Sequence, residues 1–387
     1  MNPQQFDVIV VGAGIVGAAC ALALKASGLK IAVLEASPPS PPGSDWDSRI
    51  YAISPGSARW LAELGVWQTL DAARIAPVYK MQIHGDATAQ LEFDAYAAGL
   101  PQLASIMESG RIQYGLWQAL QATPQVSVFS SARCAAIDWL DTGAQLLLED
   151  RRTLTAKLIV AADGAQSWVR SQAGITVQRS DYGQLGVVAN FACERDHGHI
   201  ARQWFRADGI LAWLPLPGRR MSMVWSTPEA HARELIGLSA DALAARVAQA
   251  GNKELGTLKL LTPAVGFPLA LNRVKPLVKP GLALIGDAAH GVHPLAGQGV
   301  NLGLRDAREL VQVLTRRGAA ECGALPLLQR YARARSEDIL TMQSVTDGLH
   351  KLFASSQPGL AQLRNTGLAL TDKFSPLKNW LMQHALT

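Results

Sequence analysis

The segment from Asp7 to Leu24 limits what this chain can fold into more than any other. Asp7 to Val11 is a short β-branched run of the kind that fills a parallel strand buried on both faces. It passes directly into Gly12-Ala-Gly-Ile-Val-Gly17, and the apolar residues beyond predict a helix to about Ser27, ended by Gly28. Lys30 to Leu34 predicts a second strand with Glu35 at its end, which completes a β-α-β unit. Val8 to Leu24 is apolar enough to imitate a signal peptide or anchor. Glycines interrupt it, however, and Met1 to Asp7 carries no Lys or Arg. No other stretch reaches the roughly 18 apolar residues that span a bilayer.

Each glycine of the G-x-G-x-x-G pattern has a physical task. Gly12 permits the tight turn, Gly14 lets backbone approach a pyrophosphate, and Gly17 lets the helix pack close to the sheet. The helix amino end offers unpaired N–H groups and a positive dipole end to phosphate. Glu35, eighteen residues after Gly17, is placed to accept from ribose hydroxyls. Strand, motif, helix, strand and acid in register point to a dinucleotide, and leave NAD and FAD both open.

Two further segments follow buried-strand patterns. Leu158 to Ala162 enters Asp163-Gly-Ala-Gln-Ser167-Trp-Val-Arg170, where Ser167 can cap a helix. Leu282 to Ile285 enters Gly286-Asp287-Ala-Ala-His290-Gly-Val-His293-Pro294-Leu-Ala-Gly297-Gln298-Gly299-Val-Asn301-Leu-Gly303-Leu-Arg-Asp306. Ahead of the first, Val126 to Phe129, Ala136 to Leu140 and Ala144 to Leu148 predict a strand meander, and between the two Leu185 to about Ser226 predicts a separate, largely antiparallel sheet.

Together these segments resemble the FAD-dependent aromatic hydroxylases, which carry a Rossmann motif, a D-G motif and a G-D motif in that order. The run from His293 to Asp306 is especially similar to the UbiH/UbiF/VisC group, which hydroxylates polyprenylated phenols in ubiquinone synthesis. Ser48 to Ser54, Phe267-Pro-Leu269, Thr346 to Leu349, Leu352-Phe353, Arg364 to Leu368 and Pro376 to Lys378 extend the resemblance over essentially the whole chain. It implies an α/β fold: a Rossmann-like FAD-binding domain interleaved with a mainly antiparallel substrate-domain sheet, plus a C-terminal helical tail. The expected FAD-binding segments are 1–75, 101–180 and 276–340, the substrate domain 76–100 and 181–275, and the helical region 341–387.

The resemblance also implies roles. Gly12, Gly14, Gly17 and Glu35 would hold the ADP half of FAD, and Arg49 would sit near flavin and pyrophosphate. Arg111 would bind phosphate or ribitol, although Glu108-Ser-Gly-Arg111 departs from the Glu-Asn start of the family. Asp163 and Gly164 are linked to FAD and to the nicotinamide donor, and the Gly286-Asp287 turn to ribitol or ribose. Pro294 and Gly297 would line the flavin as the catalytic surface, with Gln298, Gly299 and Asn301 beside them. The helix opening at Gly297 would stabilise the anion of reduced flavin. NAD(P)H would visit transiently, O2 would form a hydroperoxide at flavin C4a, and its distal oxygen would pass to the ring. No acid-base residue is evident. A flavin hydroxylase of another phenol and a non-catalytic flavoprotein scaffold are the alternatives.

Composition excludes other classes. The 36 Lys and Arg behind the net charge of +5 are scattered rather than gathered, which does not suit nucleic acid. Cys20, Cys134, Cys193 and Cys322 form no C-x-x-C pair, so neither a zinc site nor a disulfide framework is expected, and a reducing cytoplasm suits the chain. His290 and His293 lack acidic or cysteine partners at metal-ligand spacing, so no metal is expected. Leu211 and Trp213 on one strand, and Met221, Met223 and Trp225 on its neighbour, share faces by period two. They are either domain core or a wall for an apolar phenol, each buried methylene of a prenyl tail contributing about 0.8 kcal/mol. The amphipathic tail from about Thr346 either covers core or meets the inner membrane surface or other proteins of the pathway. A homo-oligomer is equally open.

Overall fold

The computed structural model describes residues 3–85, 90–293 and 297–354. Strand β1 (Gln4–Val11) leads through helix α1 (Ile15–Leu24) to β2 (Ile31–Glu35). There follow β3 (Ile50–Ile53), α2 (Pro55–Glu63), β4 (Ala76–Val78), β5 (Lys80–His84), β6 (Gln90–Asp94) and β7 (Ala104–Glu108). Next come α3 (Ser109–Gln121), β8 (Val126–Ser130), β9 (Cys134–Leu140), β10 (Gly143–Leu148), β11 (Thr153–Ala161) and the short α4 (Trp168–Gln172). The second half holds β12 (Val177–Cys193), β13 (Ile200–Arg206), β14 (Gly209–Leu216), β15 (Arg220–Pro228), α5 (Glu229–Gly237) and α6 (Ala240–Ala250). It closes with β16 (Leu258–Leu260), β17 (Val265–Val274), β18 (Val278–Lys279), β19 (Leu282–Leu284), β20 (His290–Gly291), α7 (Gln298–Thr315) and α8 (Leu325–Ala354).

Among the described residues, the first sheet runs β18-β19-β11-β1-β2-β8, with β10 and β9 attached to β11. Strands β19, β11, β1, β2 and β8 pair in parallel. Val8, Ile9 and Val10 have no exposure, as a strand covered on both faces requires. Helix α1 carries no charge and is nearly all small or apolar, so it can lie buried between α3 and α7. Tyr331 of α8 donates its hydroxyl to the Leu284 carbonyl at 2.8 Å, tying that helix to the sheet.

The expected meander is corrected in part. β9, β10 and β11 do form antiparallel neighbours, but β8 pairs in parallel with β2 at the opposite side of the sheet. Helix α3 precedes β8 and supplies the crossover that a parallel pairing needs.

The second sheet runs β20-β17-β12-β15-β14-β13-β5-β6, with β16 on β12. Its central strand, β12, is 17 residues long and starts at Val177, ahead of the boundary expected at 181. Its lower part pairs Val177 to Asp181 with β17, and its upper part pairs Gln184 to Ala192 with β15. A third sheet, β3-β7-β4, packs between the other two: Ile106, Ala76 and Val78 share a cluster with Leu216, Leu214 and Ala201 of the second sheet.

Leu211 and Trp213 do lie opposite Trp225 and Met223 on neighbouring strands. The expectation that they and Met221 wall a ligand site is overturned. All five are at most 1% exposed and pack with Ala232 and Leu235 of α5 and Leu243, Ala244 and Val247 of α6. The helices that follow β15 need an apolar floor, and this face provides it. Trp225→Ala is therefore expected to cost about 3–5 kcal/mol of stability. The measurement is the urea unfolding midpoint, and a loss below about 1 kcal/mol would contradict the core assignment.

Candidate functional site

The parallel register of the first sheet brings three loops to one edge. Val11 lies opposite Ala161 and Ala161 opposite Leu284, so the turns after β1, β11 and β19 are neighbours. The carboxyl ends of parallel strands are where such sheets bind ligands. Gly12 has φ +100°, and a Cβ there would stand 2.5 Å from the Ala162 carbonyl oxygen. A Cβ at Gly17 would stand 2.0 Å from the Gly12 oxygen, so α1 can start this close to the turn only with glycine. Gly14, by contrast, faces space with no atom within 4 Å of its Cβ position. Glu35 closes the edge, accepting from Ala13 N–H at 2.6 Å and Ser37 N–H at 2.8 Å.

The turn after β11 is held by its own side chains. Asp163 Oδ2 accepts from Val169 N–H at 3.0 Å, and Ser167 Oγ accepts from Arg170 N–H at 3.0 Å. Buried Arg170 then donates to the carbonyls of Ala288 at 2.8 Å and Ala165 at 2.9 Å, clamping this turn to the next. Oδ1 of Asp163 is buried without a protein partner. Gly164 beside it has open space at its Cβ position.

The turn after β19 places Gly286 and Asp287 over a buried carboxylate that the sequence reading did not single out. Asp306 of α7 has no exposure. Its Oδ2 accepts from Gly286 N–H at 3.0 Å and meets His290 Nε2 at 2.5 Å, while Oδ1 accepts from Arg335 Nε at 2.7 Å. Burial pushes this carboxyl up, but His290 and Arg335 outweigh it and hold Asp306 below the ordinary range. Arg335 also reaches Asp338 at 2.7 Å. Asp287 itself is exposed to the cleft, while protein on its other sides raises its carboxyl against the opposing pull of His290 and Arg49. His290 is thus an anion's partner; among the described residues no cluster suits a metal.

The fourth element is the amino end of α7. Gly297 caps it in the left-handed region, φ 61° and ψ 27°, with the Ala52 methyl 3.3 Å from its Cβ position. Gln298 is buried and Gly299 is open. Asn301 turns inward: Oδ1 accepts from Ser54 N–H at 3.0 Å, and Nδ2 donates to the carbonyls of Ala52 at 2.8 Å and Gly297 at 3.4 Å. It thereby fixes the Gly297 turn against β3. Pro294 lies outside the described residues.

Arg49 is exposed and stacks over the Phe267 ring at 5.6 Å, and its charge acts on both Asp287 and Tyr51. Arg111 donates to Glu108 at 2.8 Å and to the Gly43 carbonyl at 2.9 Å. Glu108, 2% exposed, also takes two bonds from Arg74 and one from Asp47 N–H. Arg111 therefore belongs to a cluster that holds the 43–49 loop.

Over the cleft lies the other face of the second sheet. Val188, Val224 and Ala212 align across β12, β15 and β14, and all three are half-buried. Leu214 continues the wall, and Phe267 of β17 stands beside it opposite Gly186. Arg220 is on this face too, interrupting its apolar residues, and is turned toward Trp46 and the Pro217 carbonyl. A dinucleotide along the edge would meet the clear turn at Gly14, the unpartnered Asp163 oxygen and the start of an 18-residue helix. The residues present fit FAD.

Replacing Asp306 with Asn leaves Arg335 without its buried counter-charge, an expected loss of about 3–5 kcal/mol. The wild-type carboxylate, with its lowered pKa, stabilises the fold above the ordinary aspartate value of about 3.9. That contribution is lost as pH falls through its lower folded value, so acid should narrow the gap between wild type and variant in thermal unfolding.

Residues 5–342 match the family of proteins described as FAD binding domain. The chain is 38% identical to 3-demethoxyubiquinol 3-hydroxylase of Escherichia coli, over 100% of both chains. It is 32% identical to the ubiquinone hydroxylase UbiL of Rhodospirillum rubrum, over 98% of this chain and 89% of that one. The structure of Pseudomonas aeruginosa PqsL in complex with 2-aminobenzoylacetate shares the fold, with a TM-score of 0.80 at 22% identity, covering 94% of this chain and 99% of that one. By sequence and fold together, the chain belongs to the UbiH/UbiF/VisC group of FAD-dependent monooxygenases.

Proposed function

We propose that this monooxygenase hydroxylates the ring of a prenylated phenol in ubiquinone biosynthesis, with FAD, a nicotinamide donor and O2. The observation that carries the reading is the half-open row Val188, Val224 and Ala212, continued by Leu214, on the sheet face above the nucleotide edge. Such a wall suits a ring and its prenyl tail. The relatives named for hydroxylation of ubiquinone precursors support the same substrate class.

Bound FAD supplies the electron transfer and oxygen activation that side chains cannot. The chain's own residues bind and orient it. Gly12, Gly14 and Gly17 admit the pyrophosphate to the amino end of α1, Glu35 accepts from ribose, and Asp287 from ribitol or ribose. Asp163 and Gly164 border the same nucleotide, and Arg49 stands at its mouth. The N–H groups from Gly297 to Gly299, at the amino end of α7, would hold the flavin where a helix start favours negative charge. Asn301, Arg111, Arg170 and Asp306 act through the backbone they hold. The second sheet closes over this edge and limits water at the reacting ring.

The purified protein is expected to carry noncovalent FAD, and Asp287→Ala to weaken its binding by about tenfold or more as one polar contact is lost. Titration of apoprotein with FAD measures this. Unchanged affinity would remove Asp287 from the cofactor site. Product formation coupled to nicotinamide oxidation should be efficient with a prenylated phenol and poor with 4-hydroxybenzoate. The reverse preference would overturn the substrate assignment and leave the flavin assignment standing.

A further inference from the structure

One row inward from Val188 and Val224, on the same face, Asn190 of β12 lies directly opposite Ser222 of β15. Both have no exposure, although the strand positions beside them are apolar. Asn190 Nδ2 donates to the Asp47 carbonyl at 2.8 Å, which fixes the amide's orientation. Its Oδ1 and the Ser222 Oγ are buried without hydrogen-bond partners. An unmet buried oxygen costs about 1–3 kcal/mol. Two such atoms on directly paired residues are about 5 Å apart at their β-carbons and can share one guest.

The pair offers an acceptor and a hydroxyl that can donate. A carboxylate would be repelled by Oδ1, and a hydrocarbon would satisfy neither atom. A phenol suits both: its O–H donates to Oδ1 while its oxygen accepts from Oγ–H. Rows two residues apart along a strand are separated by about 6.5 Å, close to the length of a phenol, so the ring would lie on the Val188, Val224 and Ala212 row. We propose that Asn190 and Ser222 bind the phenolic hydroxyl of the substrate and so decide which edge of the ring faces the flavin. The inference rests on the prenylated-phenol reading. It involves no proton transfer: the hydrogen bond to Oδ1 leaves the phenol neutral and enriches the ring in electron density. Trp46 and Leu214 pack against one buried cluster, and the Asp47 carbonyl keeps the Asn190 amide oriented, so the ring enters with that bond in place.

The test is binding to the oxidised holoenzyme without nicotinamide, read from the flavin absorbance. The two probes are a prenylated phenol and its deoxy analogue, with hydrogen in place of the hydroxyl. Wild type should prefer the phenol by about tenfold or more. Ser222→Ala and Asn190→Leu should each weaken the phenol about tenfold while leaving the deoxy analogue within about twofold, and Ser222→Thr should restore the preference. Retained FAD in each variant shows that the 43–49 loop is intact. Equal binding of the two probes by wild type, or equal weakening of both in the variants, overturns the proposal and makes the pair a seat for bound water. Binding of neither probe by wild type overturns both this proposal and the substrate reading.

Discussion

Asp306 is the group on which the nucleotide edge depends. A carboxylate without exposure is costly in a protein interior unless each oxygen is paired. Here the pairing is also the architecture: Gly286 N–H belongs to the turn that presents Asp287, His290 starts β20, and Arg335 belongs to α8. One side chain thus joins a loop of the first sheet, a strand of the second and a C-terminal helix. Arg170 repeats the device on a smaller scale, bonding Ala288 in that same turn from the loop after β11. The turns of the edge are short and rich in partly buried glycine, so their positions are set from beneath.

The first sheet was legible because its signals are local. A strand that must be buried on both faces reads as an unbroken apolar run, and the glycines at 12 and 17 follow from distances between neighbouring backbone atoms, while Gly14 leaves the turn clear. Arg335 has no such signal. It acts 29 residues from Asp306, on a helix whose sequence looks like any amphipathic surface helix. Asp306 and His290 sat inside a recognised run, but their partnership depends on how α7 crosses the G-D turn. Asn301 shows the same limit: the motif marks the position, while its side chain serves the backbone of β3.

The second sheet was legible in period but not in parity. Alternation places Met221, Met223 and Trp225 on one face and Ser222 and Val224 on the other, without saying which face looks toward the nucleotide. The bulkier set seemed the better wall. Large aromatic residues, however, are what a sheet needs where two helices must be floored, and α5 and α6 begin directly after β15. The smaller set then faces the cleft, and its modest size is what leaves room for a ligand.

The same division of faces explains how one sheet can be rigid and receptive. Trp213, Trp225 and Phe191 fill the helical side without exposure, so the strand backbone is fixed there by packing that a ligand does not touch. On the cleft side Val188, Val224, Ala212 and Leu214 stay half-buried, so apolar surface remains to be covered. Covering it removes water from the side of the ring opposite the nucleotide, which makes substrate binding and exclusion of solvent one event. The 43–49 loop is well placed to couple that event to the cofactor. Asp47 accepts from Asn190 on the wall, and two residues later Arg49 acts on the Asp287 carboxyl at the nucleotide edge. A shift of that loop would be felt at both places, whereas a shift of the aromatic floor would be felt at neither.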